Sequence, residues 1–377
     1  MSSLVRIITA STYQRVVKPL LFLRHPDKVH VDIVRVGRVI QTVPGLKHIP
    51  LLWQHQNIQL QQVIAGVTFT NPIGLAAGFD KNIELAPLLE SVGFGFMTGG
   101  SVTAEACEGN VRPWFYRLPA SKALVVNAGL PNQGIVAVVE RLKRHKKKTL
   151  AQFPLSVSVA KTNSCETADD ATAIGDYCTS LALLEAANVC QMYEVNISCP
   201  NTHGGEPFTT PARLEKLLTA VDRLQLTKPV FIKMPIDLPW GELSKLLTII
   251  TSHNVQGVTI GNLRKNRTNV ALHEALPTTV KGGLSGAPTR NVSNELIKKT
   301  YQTYGDKLCI IGVGGVFSAE HAYEKIKAGA SLVALITGMI FEGPQLIGDI
   351  NSGLVQLMKA DGYEHIAEAV GVDTLPQ

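Results

Sequence analysis

The sequence predicts an α/β fold, a closed (β/α)8 barrel, preceded by a small helical extension. Three observations carry this. From about residue 60 onward, short apolar runs recur along the 377-residue chain, eight in all. Longer amphipathic stretches fall between most of them. The first 45 residues follow a different pattern, helical in period and basic in charge. Apolar strands joined by crossover helices indicate a parallel sheet buried on both faces, and eight such units indicate a sheet closed on itself, the TIM-barrel arrangement.

The extension comes first. Val29, Ile33, Val36, Ile40 and Val43 recur every three or four positions and so share one helical face. Val16, Val17, Leu20, Leu21 and Leu23 form a second apolar group upstream, and Pro26 and Asp27 separate the two. Pro44-Gly45 ends the segment. This predicts a pair of short helices with apolar faces, either a cap packed on the barrel or a membrane-facing pair. Seven basic residues (Arg6, Arg15, Lys18, Arg24, Lys28, Arg35, Arg38) stand against Asp27 and Asp32 here, which accounts for nearly all of the chain's net +6. A basic, apolar N-terminus suits an acidic membrane surface, and a solvated helix face gives the same charge pattern. The division expected is a helical segment over 1–45 and a barrel over 46–377.

The barrel strands follow at 73–76, 95–97, 155–159, 192–197, 230–234, 257–260, 310–313 and 332–336. Helical stretches lie between them at 168–187, 212–224, 241–252, 291–301 and 318–328. Apolar residues make up 45% and charged residues 18%, a globular composition, and a net charge of +6 forces no nucleic-acid partner. The six cysteines form no CxxC pair and no histidines stand at zinc spacing. A structural metal or disulfide framework is therefore not expected, and a reducing compartment fits. No apolar run reaches spanning length, and the 19–23 stretch is too short for a signal-peptide core.

Barrels of this kind place their chemistry at the C-terminal ends of the strands. Those ends carry Ala76–Lys81, Gly99-Gly100-Ser101, Ser158 running to Lys161, Asn196–Thr202, Lys233, Gly261-Asn262, Gly314-Gly315 and Thr337-Gly338. Lys81 and Lys233 end strands that are otherwise apolar, and an ammonium there must reach the mouth to avoid a large burial cost. Asn196, Asn201 and Asn262 each offer a donor and an acceptor, which suits a pyrimidine ring with alternating N–H and C=O groups. The late glycines let backbone N–H groups approach a phosphate. Phosphate, planar ring and lysine together suggest flavin mononucleotide (FMN). Taken singly, a strand-end lysine is usually rim, a loop asparagine usually a turn former, and a free cysteine usually small core. Cys199, between Ser198 and Pro200 in a loop rich in asparagine, is the candidate proton acceptor.

These residues resemble the dihydroorotate dehydrogenases. The resemblance rests on Gly74–Lys81, on the run Asn196–Thr202, on Gly282–Gly286 and on Ile310–Gly315, in that order along the chain, and extends from about residue 20 to the C-terminus. It implies a TIM barrel that oxidises dihydroorotate to orotate in pyrimidine (UMP) synthesis. Cys199 would remove the C5 proton while hydride passes from C6 to the flavin. Lys81, Asn127, Gly129, Leu130, Asn196, Asn201 and Asn262 would hold the substrate. Ala77, Gly78, Ser101, Ser158, Asn196, Lys233, Gly261, Gly286, Gly314, Gly315, Ile336 and Thr337 would hold FMN, with Lys233 beside the edge of the ring that gains negative charge.

The chain is most similar to the membrane-bound, quinone-reducing class, in His25–His30, in Glu108–Pro119 and in the tail Ala367–Gly371. That similarity implies a quinone tunnel with His30 and Arg117, and a peripheral protein on the cytoplasmic face of the inner membrane. A mitochondrial inner membrane or the cytoplasm is the alternative. Other positions depart from this class. Cys199 replaces its usual serine, and Asn127–Asn132 resembles the soluble class. Ser158 stands for a flavin-binding asparagine, Gly261 and Leu263 for threonines, and Ile336 for a tyrosine. A soluble fumarate-dependent enzyme and a flavin-binding paralogue with altered substrate are the competing readings. A catabolic pyrimidine reductase, which needs iron–sulfur centres, finds no cysteine cluster here.

Overall fold

A computed structural model describes residues 2–144, 153–268 and 270–374. Eight parallel strands close into a barrel: β1 Ile73–Leu75, β2 Phe96–Val102, β3 Leu155–Val159, β4 Met192–Asn196, β5 Val230–Met234, β6 Gly257–Ile260, β7 Cys309–Val313 and β8 Leu332–Leu335. They pair in sequence order, with β8 hydrogen-bonded back to β1. Every predicted run is a strand. The largest difference is β2, which runs on through Gly99, Gly100 and Ser101 rather than ending at Met97. It does so because these residues keep pairing with β3 until a register shift between Gly100 and Val102. The five predicted helices are present as Asp170–Ala187, Pro211–Asp222, Trp240–Ile250, Arg290–Tyr304 and Ala319–Lys327.

The period of two along each strand sorts the barrel interior into layers. At the bottom, Phe96, Met192, Phe231, Ile311 and Leu332 pack with Phe69 in an apolar plug. Phe69 belongs to a short hairpin, Gln62–Ile64 with Val67–Phe69, that stoppers this end, its ring 5.5 Å from that of Phe96. Higher on the same strands the buried residues turn polar: Thr98, Ser156, Ser158, Glu194, Lys233 and Thr259. Burying such groups is unfavourable unless they are hydrogen-bonded. Thr259 Oγ1 accordingly donates to Glu194 Oε2 at 2.8 Å. The outward faces of the strands pack on the helices in one large apolar core.

A three-stranded antiparallel sheet, absent from the sequence reading, stands over the mouth. Ala123–Val126 is its centre, flanked by Phe115–Leu118 and Gly283–Gly286. It carries two of the resemblance motifs to the barrel's open end.

The N-terminal segment is helical as expected, but its first helix is longer than the apolar spacing indicated. It runs from 2 to 22, with Tyr13–Val17 wound as a π turn. The second helix is Pro26–Thr42. Arg6 anchors the first helix to Asp349 at 2.8 Å, and Tyr13 OH donates to Ile340 O at 2.7 Å. The second helix rests on the barrel through Asp27 and Gly37, where a Cβ on Gly37 would meet Leu85 Cδ2 at 2.9 Å. Its apolar stripe is not the packed face. Val29 and Ile33 line a cavity, and Ile33, Val36 and Val43 are exposed. Among the described residues, sixteen of the twenty-two exposed large hydrophobic side chains lie within residues 4–52, so the cap does not bury its own apolar surface. No described helix is long and apolar enough to cross a membrane.

Candidate active site

At the barrel mouth the polar layer opens into a cavity of about 740 Å³, within the usual range for a ligand site. Its floor is a preorganised network. Asn196, at the end of β4, donates through Nδ2 to Ser101 Oγ at 2.8 Å, and Ser101 Oγ lies 2.8 Å from Ser158 Oγ. Asn196 Oδ1 accepts from the Ser198 backbone at 3.2 Å. Asn262, just past β6, donates to Ser198 O at 2.7 Å and accepts from Leu263 N at 2.8 Å. Ser198 Oγ in turn donates to Lys233 O at 2.8 Å. The bonds of Ser101 to Asn196 and Ser158, of Asn262 to Ser198 and of Ser198 to Lys233 cross between strands and join residues far apart in sequence.

The loop after β4 carries Cys199 across the mouth. Asn201 Nδ2 ties it to Val126 O at 3.0 Å, and Asn110 Nδ2 bonds both Asn201 O at 3.0 Å and Asn127 Oδ1 at 3.1 Å. Burial pushes the Cys199 thiol up to about 11, opposed by the Asn201 backbone and the charge of Lys233. Lys81 Nζ donates to Gly78 O at 2.9 Å and lies 3.2 Å from His30 Nε2. Burial lowers its pKa to about 8, opposed by Asp80 and Asp27. Burial and the neighbouring Lys81 and Arg112 charges pull the His30 imidazole down to about 3, so it is neutral and accepts from Lys81.

Opposite the loop the wall is largely backbone. Gly286 has φ 91°, and a Cβ there would lie 2.3 Å from Lys122 O. Gly315 has φ 70°, and its Cβ would lie 2.4 Å from Arg290 Cβ. Only glycine fits at either place, which leaves main chain facing the cavity. Ser285 Oγ and Thr337 Oγ1, 3.0 Å apart, add hydroxyls beside it. This cradle, with buried Lys233 across from it, fits a phosphate-bearing flavin.

From there the cavity continues without a break between the N-terminal helices, past Thr9, Tyr13, Phe22, Val29 and Ile33. Arg117 crosses this passage. It donates to Arg24 O at 2.7 Å and Phe22 O at 3.3 Å, with its guanidinium 4.5 Å from the Phe22 ring centre. His30 stands between the rings of Phe79 and Phe115, at 5.6 and 5.5 Å.

The cavity wall holds the predicted base Cys199 and, of the predicted substrate set, Lys81, Gly129, Leu130, Asn196, Asn201 and Asn262. Ala77, Gly78, Ser101, Lys233, Gly261, Gly286, Gly314, Gly315, Ile336 and Thr337 of the predicted flavin set share it, as do His30 and Arg117. Two predicted residues stand one step behind. Asn127 is turned toward Asn110, and fully buried Ser158 reaches the cavity through Ser101. Leu263 lines the wall beside Asn262. The sequence reading missed Asn110 and Asn163, which brace the mouth loops, and Asp27. Buried Asp27 accepts from Trp114 N and Phe115 N, each at 3.0 Å, and fastens the second helix to the sheet over the mouth. Asn110 lies inside the stretch Glu108–Pro119 that carried the resemblance, the one available signal for it.

The dihydroorotate dehydrogenase family model matches residues 59–358. Among curated proteins, the chain is 33% identical over 379 residues to the dihydroorotate dehydrogenase (quinone) of Nostoc punctiforme, covering 96% of this chain and 98% of that protein. It is 35% identical to the enzyme of the same description from Haloarcula marismortui, covering 95% and 98%. Among solved structures, the Eimeria tenella dihydroorotate dehydrogenase in complex with ferulenol superposes with a TM-score of 0.80 at 24% identity, covering 93% of this chain and 96% of that one. Its ligand-free form superposes at 0.78 and 25% identity, covering 89% and 100%. A match of this extent settles the lineage: the chain belongs to the dihydroorotate dehydrogenase family of flavoproteins.

Proposed function

We propose that this chain oxidises (S)-dihydroorotate to orotate in pyrimidine synthesis, with FMN as its flavin, Cys199 as its base and a quinone as electron acceptor. One observation supports this above the others: a single cavity runs from Cys199 and Lys81, past the glycine cradle, to the apolar faces of the N-terminal helices. Substrate, flavin and a greasy acceptor have a place along one path.

Each residue has a task in this reading. Cys199 accepts the proton from C5 of the substrate. Lys81 pairs with the substrate carboxylate. The amides of Asn196, Asn201 and Asn262, fixed by their own hydrogen bonds, orient the ring, and Asn127 acts through Asn110. Such orientation contributes several kcal/mol to the barrier reduction, on the order of 7 in favourable cases. Ala77, Gly78, Ser101, Gly261, Gly286, Gly314, Gly315, Ile336 and Thr337 hold the flavin, and Lys233 supplies positive charge at its ring. When bound, FMN supplies the redox chemistry, accepting hydride from the substrate and releasing electrons to the quinone. His30 and Arg117 meet the quinone in the passage. The exposed apolar side chains of residues 4–52 and the basic residues among them hold the protein peripherally on the cytoplasmic face of the inner membrane.

The soluble, fumarate-reducing reading is favoured by Cys199 and by the run Asn127–Asn132, but gives no task to the passage between the helices. The experiment is anaerobic mixing of the purified holoenzyme with dihydroorotate, with orotate quantified and the extracted flavin identified by chromatography. One orotate per FMN is the expected result. FAD, or no orotate, contradicts the reading.

A further inference from the structure

Cys199 borders two spaces. One is the main cavity. The other is a small pocket of about 10 Å³ lined by Lys161, Tyr177, Thr202, Gly205 and Pro207, with Asn196 and Leu130 shared between the two. Lys161 is only 3% exposed and lies just past the end of β3. Its ammonium donates to His203 O at 2.7 Å, in the same loop as Cys199. Asp176, the carboxylate whose field reaches it, is occupied by the backbone N–H groups of Ala104 and Thr162, both at 3.1 Å. Burying a cation against one carbonyl is costly, and a loop clamp alone does not require a charge.

We propose that Lys161 is a positioning residue that lowers the proton affinity of Cys199, holding a positive charge at the small pocket that the thiol borders outside the main cavity. This rests on the reading of Cys199 as the base. A buried thiol resists ionisation, and the thiolate is the form that accepts a proton. The charges facing Cys199 are few. Lys233 on β5 and Lys161 favour the thiolate, and Glu206 in the loop opposes it. Tyr177 is neutral and donates to Asn196 O at 2.8 Å. Lys233 stands on the wall assigned to the flavin, so its charge is shared with the ring. Lys161 does not line the main cavity, so its charge is not shared with the flavin.

The test separates charge from clamp. Lys161→Gln keeps an N–H donor without the charge, Lys161→Met is a second neutral variant, and Lys161→Arg keeps the charge. Asn163→Ala removes the neighbouring anchor of the loop, where Asn163 Oδ1 accepts from His203 N at 2.8 Å, and leaves the charge in place. The readout is the pH dependence of iodoacetamide alkylation at Cys199 in the flavin-loaded enzyme, followed on the Cys199 peptide because the other cysteines are also free. The pH dependence of anaerobic flavin bleaching by dihydroorotate is the second readout. Either neutral variant should move both titrations upward by about one unit, making the reaction about tenfold slower at a given pH below the transition. Lys161→Arg and Asn163→Ala should leave them near wild type. A neutral variant whose titration stays in place while its rate falls equally at every pH overturns the proposal and leaves Lys161 a clamp. If Cys199→Ala still bleaches, the base assignment fails instead, and the alkylation titration of the Lys161 variants still judges the effect of the charge.

Discussion

A buried thiol such as Cys199 holds its proton tightly, and its basic form appears only as pH rises toward about 11. The rate of flavin reduction by dihydroorotate should therefore climb by nearly tenfold per unit between about pH 6 and about pH 8, where Lys81 still carries the charge that pairs with the substrate. A stopped-flow profile that levels off below about pH 7 would contradict this. Replacing Cys199 with alanine should reduce turnover near neutral pH by at least about a hundredfold, the scale of a lost general base, while the purified protein stays yellow. Unchanged turnover would mean another group takes the proton. Cys199, Lys81 and Lys233 were legible in the sequence because polar residues stood at the ends of apolar strands, and the resemblance gave them tasks. Asn110 was not, and Lys161, visible at the end of the third strand, had no task assigned. Their partners are carbonyl groups of a loop 91 and 42 residues away, and no periodicity marks such a bond.

At the scale of elements, the N-terminal helices show what spacing reveals and what it hides. The stripe Val29, Ile33, Val36, Ile40 and Val43 marked a helix correctly. It did not tell which face meets the barrel, because an apolar face turned to a cavity or a membrane has the same period as one turned to a core. The docking face is set by Asp27, Val34, Gly37 and Gln41, the last donating to Glu84 O at 2.7 Å, and of these only Val34, which lies outside the stripe, is an apolar anchor. Asp27→Ala would leave the Trp114 and Phe115 N–H groups unpaired, at a cost of about 2 kcal/mol or more. Thermal unfolding should show the loss, and quinone reduction should fall more than flavin reduction by dihydroorotate. Equal losses would mean that Asp27 supports the barrel as a whole. Deleting residues 1–45 should abolish quinone reduction while dihydroorotate still bleaches the flavin. Full quinone reductase activity in the truncated protein would remove the passage from the account.

At the scale of the molecule, the barrel was the most legible feature, since eight apolar runs with crossover helices leave few other ways to bury both faces of a parallel sheet. The sheet over the mouth was not legible. Its strands are short, one of its two pairings spans more than 150 residues, and they flank loops without regular alternation. The continuity of the cavity was equally hidden, because it depends on how the helical cap sits rather than on any one segment. If the exposed apolar surface of residues 4–52 faces a bilayer, the intact protein should co-sediment with vesicles containing anionic lipid, and the truncated protein should remain in the supernatant. Equal recovery of both in the supernatant would contradict that placement.

The central claim is that one cavity joins dihydroorotate oxidation to quinone reduction. It is tested most directly by bleaching the yellow holoenzyme anaerobically with dihydroorotate and then adding ubiquinone or fumarate in separate samples. Recovery of the flavin colour with quinone and not with fumarate is the predicted result. Recovery with fumarate alone, or a flavin that dihydroorotate never bleaches, would contradict it.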